Sequence, residues 1–532
     1  MSEAFPGLPE PPPPSAPRTA SAVILWREGP RGRELFWVKR GSALRFAGGF
    51  YAFPGGRLDE QDRAVTVPGF SGEAAALRAC AVREIFEETG VLLAVDGRRG
   101  TSPRPTGARS RAGVHPPPKD DEAATRHPTT GERDAGRKAL LDGSLHLGAF
   151  LAHHGLVPDG AALQEAGRWV TPVQFPVRYD AHVFLAHLPE GEAAAVWPGE
   201  LESGEWILAE DALLRWERGE VLLHPPNLWG VQCLAGAAPP ACLDRLRAPP
   251  ASEGFITRRI EFQRGLFLAS LRTPTLFPAT HTSAWLPDLG GGALAVVDPG
   301  SPWPEEQAFL ERVLGDLAED GLAPAEIWLT HAHADHVGGV AALRARHAVV
   351  LRAHPDAAAR LPREVGEVEP LADGELLAGR WRVLHTPGHA RGHVAFHDER
   401  TGALITGDMI STLSTIVIDP PDGNMEEYLA SLERLSALGP RTLYPAHGPP
   451  TQGAVAKLEE YLRHRSEREA KVLEAAAEAG TLEQVTARAY ADTPGFLHPV
   501  AARSCLASLE KLEREGSVTR SDQVWHARHA AR

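Results

Sequence analysis

The sequence predicts a multidomain protein of mixed α/β and α+β class, with three globular units in a row. Three observations carry that reading. The chain has 532 residues, more than one core holds when domains run to roughly 100–200 residues each. Proline-rich or polar stretches interrupt it at its start, at 97–137 and near 235–254. From 256 to about 450, strand-like and helix-like segments alternate, as in a layered α/β domain.

Residues 1–20, "MSEAFPGLPEPPPPSAPRTA", read as a disordered leader. They lack the basic start and apolar core of a signal peptide. The first unit, 21–240, opens with strand-like "SAVILW" and "ELFWVKR" and a Gly-rich turn, "FAGGFYAFPGG". The helical stretch "EAAALRACAVREIFEETG" stops at Gly90, a residue suited to a helix C-terminus. Residues 97–137 contain almost no large apolar side chain and read as a disordered insertion. A helix near "LLDGSLHLGAFLAHHG" and strands at "RWVTP", "YDAHVFLAHL" and "GEWIL" follow. Residues 241–254 read as a linker, 255–455 as the second unit, and 456–532 as a small helical module.

Bulk composition excludes several functions. Hydrophobic residues make up 43% and charged residues 23%, the balance of a soluble globular chain. With 55 Lys and Arg against 69 Asp and Glu, the net charge of −14 argues against a protein whose main task is wrapping nucleic acid. A local basic groove stays possible. Cys80, Cys233, Cys242 and Cys505 lack paired spacing, which suggests neither a disulfide framework nor a thiolate zinc site. No apolar run approaches the ~20 residues needed to cross a bilayer. A soluble, cytoplasmic protein without a membrane partner is expected.

The densest chemical signal is "EIWLTHAHADHVGG". His331, His333, Asp335 and His336 fall within six positions on a strand-to-helix connection. Alternation at the strand end turns His331 and His333 the same way. Three later segments, each just after an apolar strand, add His389 in "LHTPGHARGH", Asp408 in "ALITGDM" and His447 in "LYPAHGPP". Imidazole and carboxylate donors at this density suit Zn²⁺ or a similar divalent ion.

These residues resemble the metallo-β-lactamase superfamily, which implies an αββα sandwich. By that resemblance His331, His333 and His389 would hold one Zn²⁺, Asp335, His336 and His447 a second, and Asp408 would bridge the two. Asp335 would also orient the nucleophile or accept its proton. Asp298 in "AVVDPG" resembles an early supporting aspartate, or is a strand-end turn residue. A carboxylate at 408, where the best-known β-lactam-cleaving subgroup has cysteine, argues against antibiotic cleavage. The downstream series "NMEEYLASLERLSALGPRTLYPAHGPP", "YLRHRSEREAKVLEAA", "TLEQVTARAYADTP" and "LASLEKLEREGSV" resembles the beta-lactamase-like protein 2 subfamily, with its winged-helix-like C-terminal module. Members of that subfamily and its relatives include a single-strand-specific endoribonuclease and thioesterases. Arg463, Arg465 and Arg468 can line a phosphate path or pair with glutamates on a solvated helix. His393 is a candidate substrate contact.

In the first unit, Glu84, Glu87 and Glu88 fall at i, i+3 and i+4 and share a helix face. Oxygen donors of this kind suit a hard cation. With the upstream "AFPGGRLDEQD" and Gly90, they resemble the Nudix box, and the region from 20 to 235 resembles the long coenzyme A-associated Nudix enzymes of peroxisomal type. The resemblance implies an α/β/α sandwich, with Mg²⁺ or Mn²⁺ on the three glutamates and Glu84 and Glu88 as catalytic residues. One departure stands out. The pattern's glutamate eight residues before Arg83 is Ala75 here, and extra residues separate Gly56 from the helix.

The expectation is a metal-dependent hydrolase with two active halves. The second unit would cleave acyl thioesters or esters, and the first would cleave coenzyme A or a nucleoside diphosphate derivative. The alternative is an endoribonuclease acting on single-stranded RNA, with the first half a hydrolase or a non-catalytic sensor. Oligomeric state is open.

Overall fold

The computed structural model describes residues 15–41, 48–97, 127–175, 177–197, 199–239 and 241–528. The first unit is built on a mixed sheet. Strands β1 (Arg18–Gly29) and β2 (Gly32–Arg40) form an antiparallel hairpin. β3 (Gln164–Val170) and β4 (Tyr179–His187) extend it through a parallel β1–β4 pairing, and β5 (Leu201–Leu208) pairs with β2. Period-two alternation feeds two cores. Val23, Leu25, Phe36 and Val38 face α1 (Gly72–Thr89), whereas Ile24, Leu35 and Trp37 pack toward α2 (Ala209–Glu217) and α3 (Pro225–Gly236). The result is an α/β/α sandwich.

Several expected boundaries need correction. β1 begins at Arg18, inside the expected leader, of which residues 1–14 lie outside the described residues. The expected insertion is likewise outside them from 98 to 126, but helix Thr130–Leu141 occupies its end. Composition missed this helix because it is held by polar contacts. Thr129 and Glu132 form a reciprocal N-terminal cap. Arg137 donates to the carbonyls of Glu87 and Glu88, at the end of α1. The expected linker is packed rather than free. Cys242 and Leu246 are buried in the first unit's core, and Arg247 donates to the Glu165 carbonyl.

The second unit stacks two sheets. One runs through β6 (Leu266–Arg272), β7 (His281–Gly290), β8 (Ala293–Val297), β9 (Ala323–Trp328) and β10 (Val350–Ala353). The other includes β11 (Trp381–His385), β12 (Val394–Asp398), β13 (Ala403–Ser411) and β14 (Thr442–His447). Their inner faces bury Leu268, Trp285, Trp328, Trp381, Phe396, Ile405 and Tyr444 between them. Outer faces pack against helices Pro304–Ala318 and Val340–Arg346 on one side, and Met425–Leu438 with Ala454–Ala477 on the other. Helix Ala454–Ala477 continues into a module of helices Leu482–Ala489 and His498–Arg514 and a hairpin, Val518–Ser521 with Val524–Ala527, closed over Trp525.

The first two units share a core. Phe50 and Leu222 of the first belong to the inter-sheet cluster of the second. The Phe262 carbonyl accepts from Trp216 Nε1 at 2.9 Å and from Leu223 N at 3.2 Å.

Candidate metal centre and carboxylate site

The ends of β9, β13 and β14 and the loop after β11 converge on one point, and the seven expected ligands meet there. Among the described residues, three overlapping groups have donor atoms within 4.8 Å of one another: His331, His333 and His389; His331, His336 and Asp408; and Asp335, His336 and His447. Asp408 lies between the outer two. Its Oδ2 is 3.5 Å from His389 Nε2 and 3.7 Å from His336 Nε2, and its Oδ1 is 3.3 Å from His447 Nε2. Asp335 Oδ2 is 3.5 Å from His447 Nε2.

The far side of each ring fixes which nitrogen faces the cluster. His389 Nδ1 donates to the Val417 carbonyl at 2.8 Å, and His447 Nδ1 to the His281 carbonyl at 3.0 Å. His336 Nδ1 meets Asp298 Oδ2 at 2.9 Å. Asp298 also accepts from Thr330 N and Thr330 Oγ1, at 2.8 and 2.6 Å. It therefore ties the β8 end to the ligand loop and orients His336, a supporting role of the kind the sequence left open. Gly300, two residues on, lies so close to Asp335 that a Cβ there would overlap its backbone oxygen.

The donor set fits divalent cations. His336 Nε2 and Asp408 Oδ1 are buried without a hydrogen-bond partner, an arrangement that costs stability unless something compensates it. Burial alone would raise the Asp408 carboxyl, but His447 and His336 outweigh it and hold that group well below the usual carboxylate range. Burial, reinforced by neighbouring imidazoles, keeps His331 well below its usual range and His389 down at about 4. They are neutral and able to ligate. Half-buried His333 is the rim through which the cluster meets solvent.

Two expected substrate contacts fare differently. His393 is fully buried, with Nδ1 against Thr386 Oγ1 at 2.8 Å and Nε2 accepting from Asp408 N at 3.1 Å. Both ring nitrogens are engaged, so His393 positions Asp408 and does not face a substrate. Arg463 is exposed in a shallow groove with Lys457, Glu460 and His464. Arg465 and Arg468 are committed elsewhere, to the carbonyl of Ile416 and to Ala489 and Asp492.

In the first unit, α1 carries the three glutamates to the Gly55–Gly56 turn. Glu88 Oε2 accepts from Gly55 N at 2.9 Å, and a Cβ on Gly56 would strike the Glu84 carboxylate. Glu84 and Glu88 line one cavity. Glu87 is not among the lining residues; its carboxylate sits 3.0 Å from Arg83 Nη1. The residue that sequence reasoning missed is Asp62, which takes Arg83 in a bidentate pair at 2.8 and 2.9 Å. It gives Arg83 a carboxylate partner, while Ala75 packs with Val67 and Ala79. It was within reach of the sequence, in the "DEQD" run after Gly56, but spacing along the helix pointed elsewhere.

A buried His/Asp cluster at the strand ends of an αββα sandwich, behind a carboxylate-bearing α/β/α unit, defines a metal-dependent hydrolase. A profile of the Metallo-beta-lactamase superfamily matches residues 278–447, one of the NUDT19 Nudix domain 67–234, and one of the Beta-lactamase associated winged helix domain 481–525. The Beta-lactamase-like protein 2 homolog of Drosophila melanogaster is 32% identical over 263 residues, 46% of this chain and 86% of that protein. The Caenorhabditis elegans homolog is 29% identical over 259 residues, covering 46% and 83%. The chain belongs to the beta-lactamase-like protein 2 family of the metallo-β-lactamase superfamily, with a Nudix domain fused ahead of it. Among solved structures, it is similar to a metallo-beta-lactamase family protein of Thermus thermophilus (26% identity, TM-score 0.43, 50% of this chain and 100% of that one). It is also similar to a NUDIX hydrolase of Alicyclobacillus acidocaldarius (26%, TM-score 0.35, 44% and 99%).

This geometry makes two testable statements. Replacing Asp298 by Asn removes the anionic partner of His336, and zinc affinity of the cluster should fall roughly 10- to 100-fold in chelator competition. Unchanged affinity would mean that Asp298 does not orient a ligand. In the first unit, burial raises the Glu84 carboxyl to about 7, and burial with the Glu84 charge raises Glu88 well above its usual value. Because these folded values exceed the unfolded ones, the stability is full below about 4.5 and is lost as pH rises through 7. A cation that binds the ionised carboxylates should reverse that loss. Mg²⁺ should therefore raise the thermal midpoint more at pH 8 than at pH 5, and an equal shift at both would contradict a site on Glu84 and Glu88.

Proposed function

We propose that the second unit is a binuclear zinc hydrolase of acyl thioesters or esters, and that the first is a Mg²⁺- or Mn²⁺-dependent diphosphatase acting on coenzyme A or a nucleoside diphosphate derivative. In this reading His331, His333 and His389 hold one cation, Asp335, His336 and His447 the other, and Asp408 lies between them. Cations held there supply an acidified water and polarise the attacked oxygen. Asp335, buried beside His336 and His447, would accept the water's proton as the water oxygen bonds to the acyl carbon, and would return it to the sulfur as the C–S bond breaks. Asp298 and His393 keep His336 and Asp408 in place. In the first unit Glu84 and Glu88 would bind the cation, while Arg83, shared between Glu84 and Glu87 on its own helix, ties α1 to the segment after the glycine turn through Asp62 and the Arg57 carbonyl.

The observation that favours a small acyl substrate over RNA is the fate of the basic helix. Of the three arginines available for a phosphate path, two are spent on internal carbonyls and Asp492, and the third, Arg463, shares a groove in which Lys457 is paired with Glu460 and Glu467 adds a further carboxylate. A polyanion gains little there, since nucleic-acid affinity rests on several phosphate contacts.

The zinc-loaded full-length chain should hydrolyse acyl-CoA thioesters and leave single-stranded RNA intact. Asp335→Ala should lower thioester turnover by roughly 10²- to 10⁴-fold, the range for losing a general base. RNA cleavage that depends on Asp335, with thioesters untouched, would overturn the proposal in favour of a nuclease.

A further inference from the structure

The largest contribution to the carboxylate cavity from outside the first unit comes from the entry segment of the second. The cavity, about 430 Å³, is within the roughly 300–1,000 Å³ usual for small-molecule sites. Glu84, Glu88 and Arg40 mark its polar end; Phe53, Trp169 and Phe175 give it aromatic walls. Thr257, Ile260 and Phe262 complete it, and Ile260 and Phe262 belong to the second unit's core.

This wall is fixed rather than incidental. The segment is hydrogen-bonded to the first unit at three points: Val170 N donates to the Phe255 carbonyl at 2.8 Å, and Trp216 Nε1 and Leu223 N both donate to the Phe262 carbonyl. The Phe262 ring meets Phe50 and His224 edge-on, at 5.5 and 5.3 Å, and His224 stacks on Phe50 at 4.3 Å. Strand Glu261–Gln263 then pairs with β6, so the same backbone is an edge of the second unit's sheet. At the polar end Arg40 is held by Glu200 at 2.8 Å, while its Nε is buried without a partner. Asn227 accepts from Phe53 N through Oδ1, which leaves its amide group to donate to a ligand.

We propose that the second unit builds the specificity wall of the first unit's pocket, with Thr257 and Ile260 selecting the group attached to the diphosphate and the fully buried Phe262 backing them. This rests on the diphosphatase reading of Glu84 and Glu88. An organic diphosphate fits this division of the cavity: its phosphates lie at the Glu84, Glu88 and Arg40 end, and a flat, weakly polar group such as a nucleobase lies between the aromatic walls. Without this entry segment the first unit's cavity would lose the part of its wall formed by Thr257 and Ile260.

The test uses the full-length chain with Mg²⁺, and ADP-ribose and coenzyme A as probes. Thr257→Phe fills the cavity from the second unit's side without touching the carboxylates. It should raise KM for the preferred probe at least tenfold with kcat within threefold, and thioester turnover should be unchanged. Ile260→Ala, which opens the same wall instead of filling it, should change the preference between the two probes at least fivefold, so the wall is tested even where Thr257→Phe disturbs the fold. Unaltered kcat/KM in Thr257→Phe, alongside loss of turnover in Glu88→Gln, would overturn the wall while leaving the diphosphatase reading intact. A wild-type chain that neither binds nor cleaves either probe at saturating Mg²⁺ or Mn²⁺ would overturn both.

Discussion

Asp408 is the constraint around which the second unit is arranged. A carboxylate buried at the end of β13 is expensive unless donors or cations surround it. Here His336, His389 and His447 stand within 3.7 Å of its two oxygens, and its own backbone N–H is held by His393. Each imidazole arrives from a different segment, so the arrangement holds only if both sheets are stacked in register. Fold and site are therefore one problem: misplace β13 against β9 or β14 and the carboxylate loses its partners.

The supporting contacts follow from the same need. Asp298 faces His336 from the opposite side, and carbonyls of Val417 and His281 fix the other two rings. Gly300 lets the aspartate loop approach the ligand loop closely enough for this to happen. The first unit solves a related problem with a different balance. Of three glutamates on one helix, Glu84 and Glu87 are offset by Arg83, which Asp62 in turn anchors, and Glu88 accepts from the Gly55 N–H; a hard cation suits what remains.

Much of this was legible in the chain because ligand chemistry is local. The HAHADH string and the three strand-end residues announce themselves by type and context, and Glu84, Glu87 and Glu88 by helical spacing. What stayed hidden depends on contacts distant in sequence. Asp62 lies 21 positions before Arg83 and outside its helix, so no helical period reveals it. His393 resembles an exposed loop histidine until β13 is seen to close over it. Helix Thr130–Leu141 is secured by a cap and by Arg137, which hydrophobic patterning does not register. The shared core of the first two units, with Phe50 and Leu222 set among the second unit's tryptophans, exists only in the folded chain.

The seven side chains are proposed to form one two-cation centre. Anomalous diffraction at the zinc edge, from crystals of the zinc-loaded chain, tests it directly. Two adjacent peaks are expected, one among His331, His333 and His389, the other among Asp335, His336 and His447, with Asp408 reaching both. A single peak, or a pair that leaves Asp408 without a metal contact, would contradict it.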